Sequence, residues 1–147
     1  MFGFSFHRDQ KSDSDFDRNV AEAADSLDIQ VAISAHENWK IRLQAYLDGK
    51  SSEAFNADVI CFDDRCDLGK WIHGTGQQRL GKYPGFTALV NSHKMFHYAA
   101  SNVVTLAQAG KVNEARKMLD GQFSHFSTHV VGALNALQKA RGNRRSK

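Results

Sequence analysis

His93 and His97 stand four residues apart in a stretch whose apolar residues recur at helical spacing, through Phe86, Leu89, Val90, Ala100, Val104 and Ala107 to a stop at Gly110. At about 100° per residue, both fall near the centre of the face defined by Phe86, Val90, Ala100 and Val104. Their imidazoles then lie on one side, one turn apart, as chelation of a single ion requires. His36 shares a face with Ile29, Trp39 and Leu43, so it also points inward. Asp63, Cys66 and Gly69 form a stripe at spacing three, whose glycine end admits close approach of another helix. Three imidazoles and a thiol left unpaired in a core would be costly. Taken singly, each histidine is satisfied by a backbone or hydroxyl partner, and Cys66 serves as a small hydrophobe. Taken together, they are a complete tetrahedral donor set for zinc, and the inward placement of all four favours a metal. Asp63, one turn before Cys66, is a candidate to polarise the thiolate or to hydrogen-bond a ligand histidine. Its plainer role is that of an exposed acid at a helix start.

The remaining candidates are weaker. His125 and His129 repeat the four-residue spacing but sit beside the stripe Ala115, Phe126, Val130 and Leu137, as flank or surface groups. His73, next to Gly74, suits a helix C-terminus. His7 lies near the N-terminus, and Cys61 is too far round from Cys66 to share a site. Four protein ligands leave no position for a substrate water, so the site reads as non-catalytic. A di-metal enzyme bundle wants Glu-x2-His motifs; neither His93 nor His97 has one, and Glu37 points elsewhere.

The elements that must position these residues are helices. One proline in 147 residues leaves long stretches free of helix breakers. The periodicity predicts a first helix from Val20 to Leu47, a short one around Phe62 to His73, a third carrying His93 and His97, and a fourth from an Asn113 N-cap to about Leu137. Buried together, their stripes make an all-α, four-helix-bundle-like domain in which the short helix carries the cysteine. The expected organisation is a flexible tail at 1–15, the bundle at 16–140 and a basic tail at 141–147. Phe123 and Leu134 lie beside the main stripe of the fourth helix, which widens its apolar face and favours a homodimer.

Composition narrows the function classes. Hydrophobic residues are 41% and charged residues 24%, as in an ordinary globular domain. The net charge of +3 is supplied by Arg141, Arg144, Arg145 and Lys147, so the body is near neutral and offers no nucleic-acid footprint. No apolar run approaches the ~18–20 residues of a membrane span, so stable membrane insertion is not expected. Met1-Phe2-Gly3-Phe4-Ser5-Phe6 is too short for a signal core. Two cysteines make no disulfide framework and point to a reducing cytoplasm.

Three blocks, His36-Glu37-Asn38-Trp39, Cys66-Asp67-Leu68-Gly69-Lys70-Trp71-Ile72 and His93-Lys94-Met95-Phe96-His97, resemble the signatures of the chemoreceptor zinc-binding (CZB) domain family. The resemblance covers roughly residues 30–138, and Cys-x-Leu-Gly-x-Trp is its most specific part. It implies an all-α bundle holding one zinc per chain through His36, Cys66, His93 and His97. Members are typically bacterial cytosolic regulators that dimerise and are fused to chemoreceptors or diguanylate cyclases. Some sense reactive chlorine oxidants through the zinc-bound cysteine, here Cys66. This chain shows no methyl-accepting coiled coil and no cyclase domain. The expectation is a stand-alone module that signals in trans to a partner of a chemotaxis or cyclic-di-GMP pathway.

Overall fold

The computed structural model describes residues 13–145, and among them there are helices and no strand. The first expected helix is in fact two, α1 (Asp13–Asp25) and α2 (Ile29–Leu47). The break is local chemistry. Asp28 adopts an extended backbone and its carboxylate accepts the Val31 N–H at 3.1 Å, capping α2. The Ser26 hydroxyl donates to the Ala23 carbonyl at the end of α1. Apolar periodicity continues across this corner because both helices face one core, with Val20, Ala24, Leu27, Ile33 and Leu43 all buried.

The short middle segment is also divided. It comprises α3 (Ala57–Ile60), α4 (Asp67–Trp71), a kinked turn (Ile72–Gly76) where Gly74 leaves helical geometry at φ −118°, ψ −111°, and α5 (Gln77–Leu80). Trp71 pins it to the α1–α2 corner, its indole N–H lying 2.9 Å from the Ala23 carbonyl oxygen and 3.0 Å from the Ser26 hydroxyl. α6 (Pro84–Gln108) starts on the proline, whose fixed φ suits a first helical turn, and stops before Gly110 at φ +80°. α7 (Val112–Met118), a π-helical turn (Leu119–Phe123) and α8 (Ser124–Arg145) follow without a break. Asn113 lies inside α7 rather than capping it, since the helix begins after Lys111.

α6 is the central helix. It packs on α8, α7, α3 and α2, and α1 and α2 also pack on α8. This bundle-like packing buries Phe16, Leu89, Phe96, Val104, Leu119 and Leu137 almost completely. Phe123 and Leu134 are buried as well, both at 0% exposure. The widened stripe of the last helix is therefore used inside the bundle, and the sequence argument for a dimer built on those two residues does not stand. The interior reaches them because the π-turn rotates α8 relative to α7, bringing Phe123 onto Phe96 with ring centroids 4.9 Å apart. α1 begins inside the segment expected to be a tail, and α8 runs on to Arg145. No helix among the described residues is long and apolar enough to cross a membrane.

Candidate metal centre

Cys66 is not inside a helix. It is the N-cap residue of α4, with extended backbone, and its sulfur accepts the Gly69 N–H at 3.3 Å. The preceding loop folds back over α4 so closely that a Cβ on Gly69 would sit 1.7 Å from the Asp63 carbonyl oxygen. The close approach read from Gly69 is thus made by a loop backbone and not by another helix. This turn aims the sulfur at α6. Cys66 Sγ lies 3.3 Å from His93 Nε2 and 3.6 Å from His97 Nε2, and the two Nε2 atoms are 3.0 Å apart. His36 enters from α2, its ring 5.2 Å from that of His93 and 6.2 Å from that of His97, centroid to centroid. One donor atom from each of the four residues lies within 4.8 Å of every other.

The hydrogen bonds decide which nitrogens are offered. His36 Nδ1–H donates to the Ala32 carbonyl at 2.7 Å, and His97 Nδ1–H donates to the Ile60 carbonyl at 3.1 Å. Each leaves an Nε2 lone pair facing the centre, and His36 Nε2 is buried there with no partner. Lone pairs converging in a dry interior repel one another unless a cation lies between them. Tetrahedral zinc with bonds of about 2.0–2.3 Å requires donor separations of about 3.3 Å between nitrogens and about 3.6 Å from nitrogen to sulfur. The donors present match that set in type and number; Cys66, His93 and His97 are spaced within about 0.3 Å of it, and all four lie within 4.8 Å of one another.

Burial sets the protonation of the imidazoles. Desolvation lowers the His36 pKa to about 4, against the Ala32 carbonyl, with the His97 charge adding to the fall. Desolvation first, then the neighbouring histidines, lowers His93 to about 2. His97 is lowered by the same burial, opposed by the Ile60 carbonyl and Asp63. All three are therefore neutral, the ligating form, near pH 7. Burial pushes the Cys66 thiol up, so an adjacent cation is needed to hold it as thiolate.

A pH dependence follows. In the unfolded chain these histidines protonate around 6.5, whereas in the folded chain His36 resists until about 4. Their contribution to stability is full above about 6.5 and is lost as pH falls toward 4. Thermal unfolding followed across this range is expected to show a falling midpoint, in chelator-treated protein as well as in metal-loaded protein. A flat profile would contradict the burial of the three rings.

Asp63 lies in the loop before α4. Its carboxylate is 3.3 Å from His73 Nε2, and its charge reaches the centre only through its effect on His97. His73 accordingly sits in the kinked turn after α4 as the partner of Asp63, not as a helix cap. Cys61 faces away, its thiol donating to the Asp58 carbonyl at 3.4 Å. His125 and His129 are on the outer part of α8, exposed and half-buried. Sequence reasoning missed the carbonyls of Ala32 and Ile60, which orient two donors, because a main-chain acceptor leaves no signature in residue type.

Clefts flank the centre on two sides. One, of about 690 Å³, is lined by Leu27, Ala32, His36, Cys66 and Trp71. The other, of about 400 Å³, is lined by Trp39, Phe55, Phe62, Cys66 and His97. Arg42 stacks over the Trp39 ring at 4.2 Å and is held there by Glu53. Cys66 opens on both clefts and is half-buried, whereas the three histidines are buried.

No curated protein and no solved structure matches the chain. Residues 36–104 match the family described as the chemoreceptor zinc-binding domain, a stretch that starts on His36 and contains all four donors. The donor chemistry and the family both support one zinc per chain. Over residues 36–104 the chain is similar to the chemoreceptor zinc-binding domain.

Proposed function

We propose that the protein is a cytoplasmic zinc-responsive regulator, with one zinc held by His36, Cys66, His93 and His97 and no catalytic role. The observation that carries this reading is the meeting of four donors from three separately packed elements: α2, the loop before α4, and α6. A bound zinc supplies charge that keeps Cys66 as thiolate and energy that ties these elements together. Each element then contributes its part. α6 presents two imidazoles at helical spacing, the Ala32 and Ile60 carbonyls orient His36 and His97, and Gly69 lets the Cys66 turn close. Asp63 acts from outside the donor set by favouring positive charge near His97. Signalling in trans to a chemotaxis or cyclic-di-GMP partner, and homodimerisation, rest on the family resemblance.

Hydrogen exchange with and without zinc tests the regulatory reading. Chelation is expected to strip protection from the segment between Asn56 and Ile72 while the interior of α8 keeps its own. Identical exchange in both states would sink it.

A second reading is favoured by the exposure of Cys66 relative to the buried histidines. Its thiolate sulfur would take chlorine from hypochlorous acid with release of hydroxide, and water would then displace chloride and a proton to leave sulfenic acid. That change removes the only anionic donor. Mass spectrometry is expected to find Cys66 modified before Cys61, with zinc release in step. Prior oxidation of Cys61, or zinc retained after Cys66 has reacted, leaves zinc sensing alone.

A further inference from the structure

A second pair of imidazoles lies outside the centre, on the exposed side of α8. His129 Nδ1–H donates to the His125 carbonyl, one turn back, at 2.9 Å. This is the same arrangement, ring nitrogen to the carbonyl four residues earlier, that His36 makes with Ala32 at 2.7 Å. In both cases it fixes the tautomer and leaves the Nε2 lone pair free to ligate. The His125 ring stands beside that of His129, with centroids 4.3 Å apart, and neither of its nitrogens has a hydrogen bond among the described residues. His125 is exposed and His129 half-buried, so both can reach solvent without moving the helix.

We propose that His125 and His129 form a second, solvent-open site for a divalent transition-metal ion, with water completing its coordination. Its chemistry differs from that of the buried centre. Two neutral imidazoles and no thiolate select the imidazole-preferring metals, nickel, copper and zinc, and bind them more weakly than four donors with an anionic member. Such a site fills only after the buried centre is saturated and exchanges freely with solution. The chain would then register metal over two concentration ranges.

The test uses the tag-free, full-length chain with its zinc already bound. Nickel(II) is titrated by calorimetry, and retained zinc is measured in parallel. The wild type is expected to take up one further equivalent while keeping its zinc. His125→Gln and His129→Gln are each expected to weaken that uptake by at least about tenfold, the least that disturbing a metal's surroundings costs. Circular dichroism is expected to be unchanged in both, since the two positions face outward. Absence of a second equivalent in the wild type would overturn the proposal. So would equal uptake by the variants, which would locate the nickel elsewhere.

Discussion

Cys66→Ala is expected to lower zinc affinity by at least about 100-fold, because losing a ligand must exceed the ~10–100-fold cost of disturbing the residues behind one. The substitution removes the only anionic donor and leaves three neutral imidazoles facing a dication. It also deletes the cap on α4, since the sulfur accepts the Gly69 N–H, at a cost of about 1 kcal/mol. Cys66→Ser separates the two effects, as its hydroxyl still caps but is a poor ligand for zinc. Competition against a chromogenic chelator should therefore rank the serine variant near alanine, while thermal unfolding of the metal-free proteins should rank it near the wild type. Cys61→Ala and the double variant His125→Ala with His129→Ala should leave the tight affinity intact. Equal zinc in wild type and Cys66→Ala would remove Cys66 from the centre.

Gly69→Ala is expected to be nearly as damaging, although the added methyl meets no donor. The added methyl would meet the Asp63 carbonyl oxygen at 1.7 Å and its carbon at 2.8 Å. Both are backbone atoms, so no rotamer relieves the clash and the 63–66 turn must lift away. We expect a loss of about 3 kcal/mol, at the upper end of ordinary single substitutions, together with weakened zinc binding as Cys66 moves off α6. Gly132→Ala is the control. It sits in α8 with nothing within 4 Å of the new carbon, and should stabilise by about 0.5–1 kcal/mol through helix propensity. Urea unfolding of the two variants measures the difference, and equal midpoints would mean the loop is not packed on Gly69.

The donors were legible in the sequence because inward-facing polar residues are rare and a helix makes their direction calculable. His93 and His97 illustrate this, both deep in the face that Phe86 and Ala100 define. Helix boundaries were less legible. A core shared by α1 and α2 continues one apolar rhythm across Ser26-Leu27-Asp28, and only the capping bond of Asp28 marks the corner. Cys66 was assigned correctly to a short helix segment but to the wrong side of its start, which carried Asp63 into a helical register it does not have. The burial of Phe123 and Leu134 was illegible for a different reason. Five residues of π-helix shift the angular position of everything after them, and no residue type announces that shift.

Cys66 and the His93 ring nitrogen that it meets are 27 residues apart along the chain, and His36 lies a comparable distance upstream of Cys66. In topological terms, the centre is a staple that closes two loops at a single knot. A covalent cross-link over a loop of this length is worth about 3–4 kcal/mol of chain entropy, and coordination supplies a similar constraint in a form that can be undone. Undoing it removes that tie, while Trp71 still holds α4 to the α1–α2 corner and α8 stays packed on α6. The chain can thus slacken the stretch ahead of Trp71 while the helices around it keep their packing.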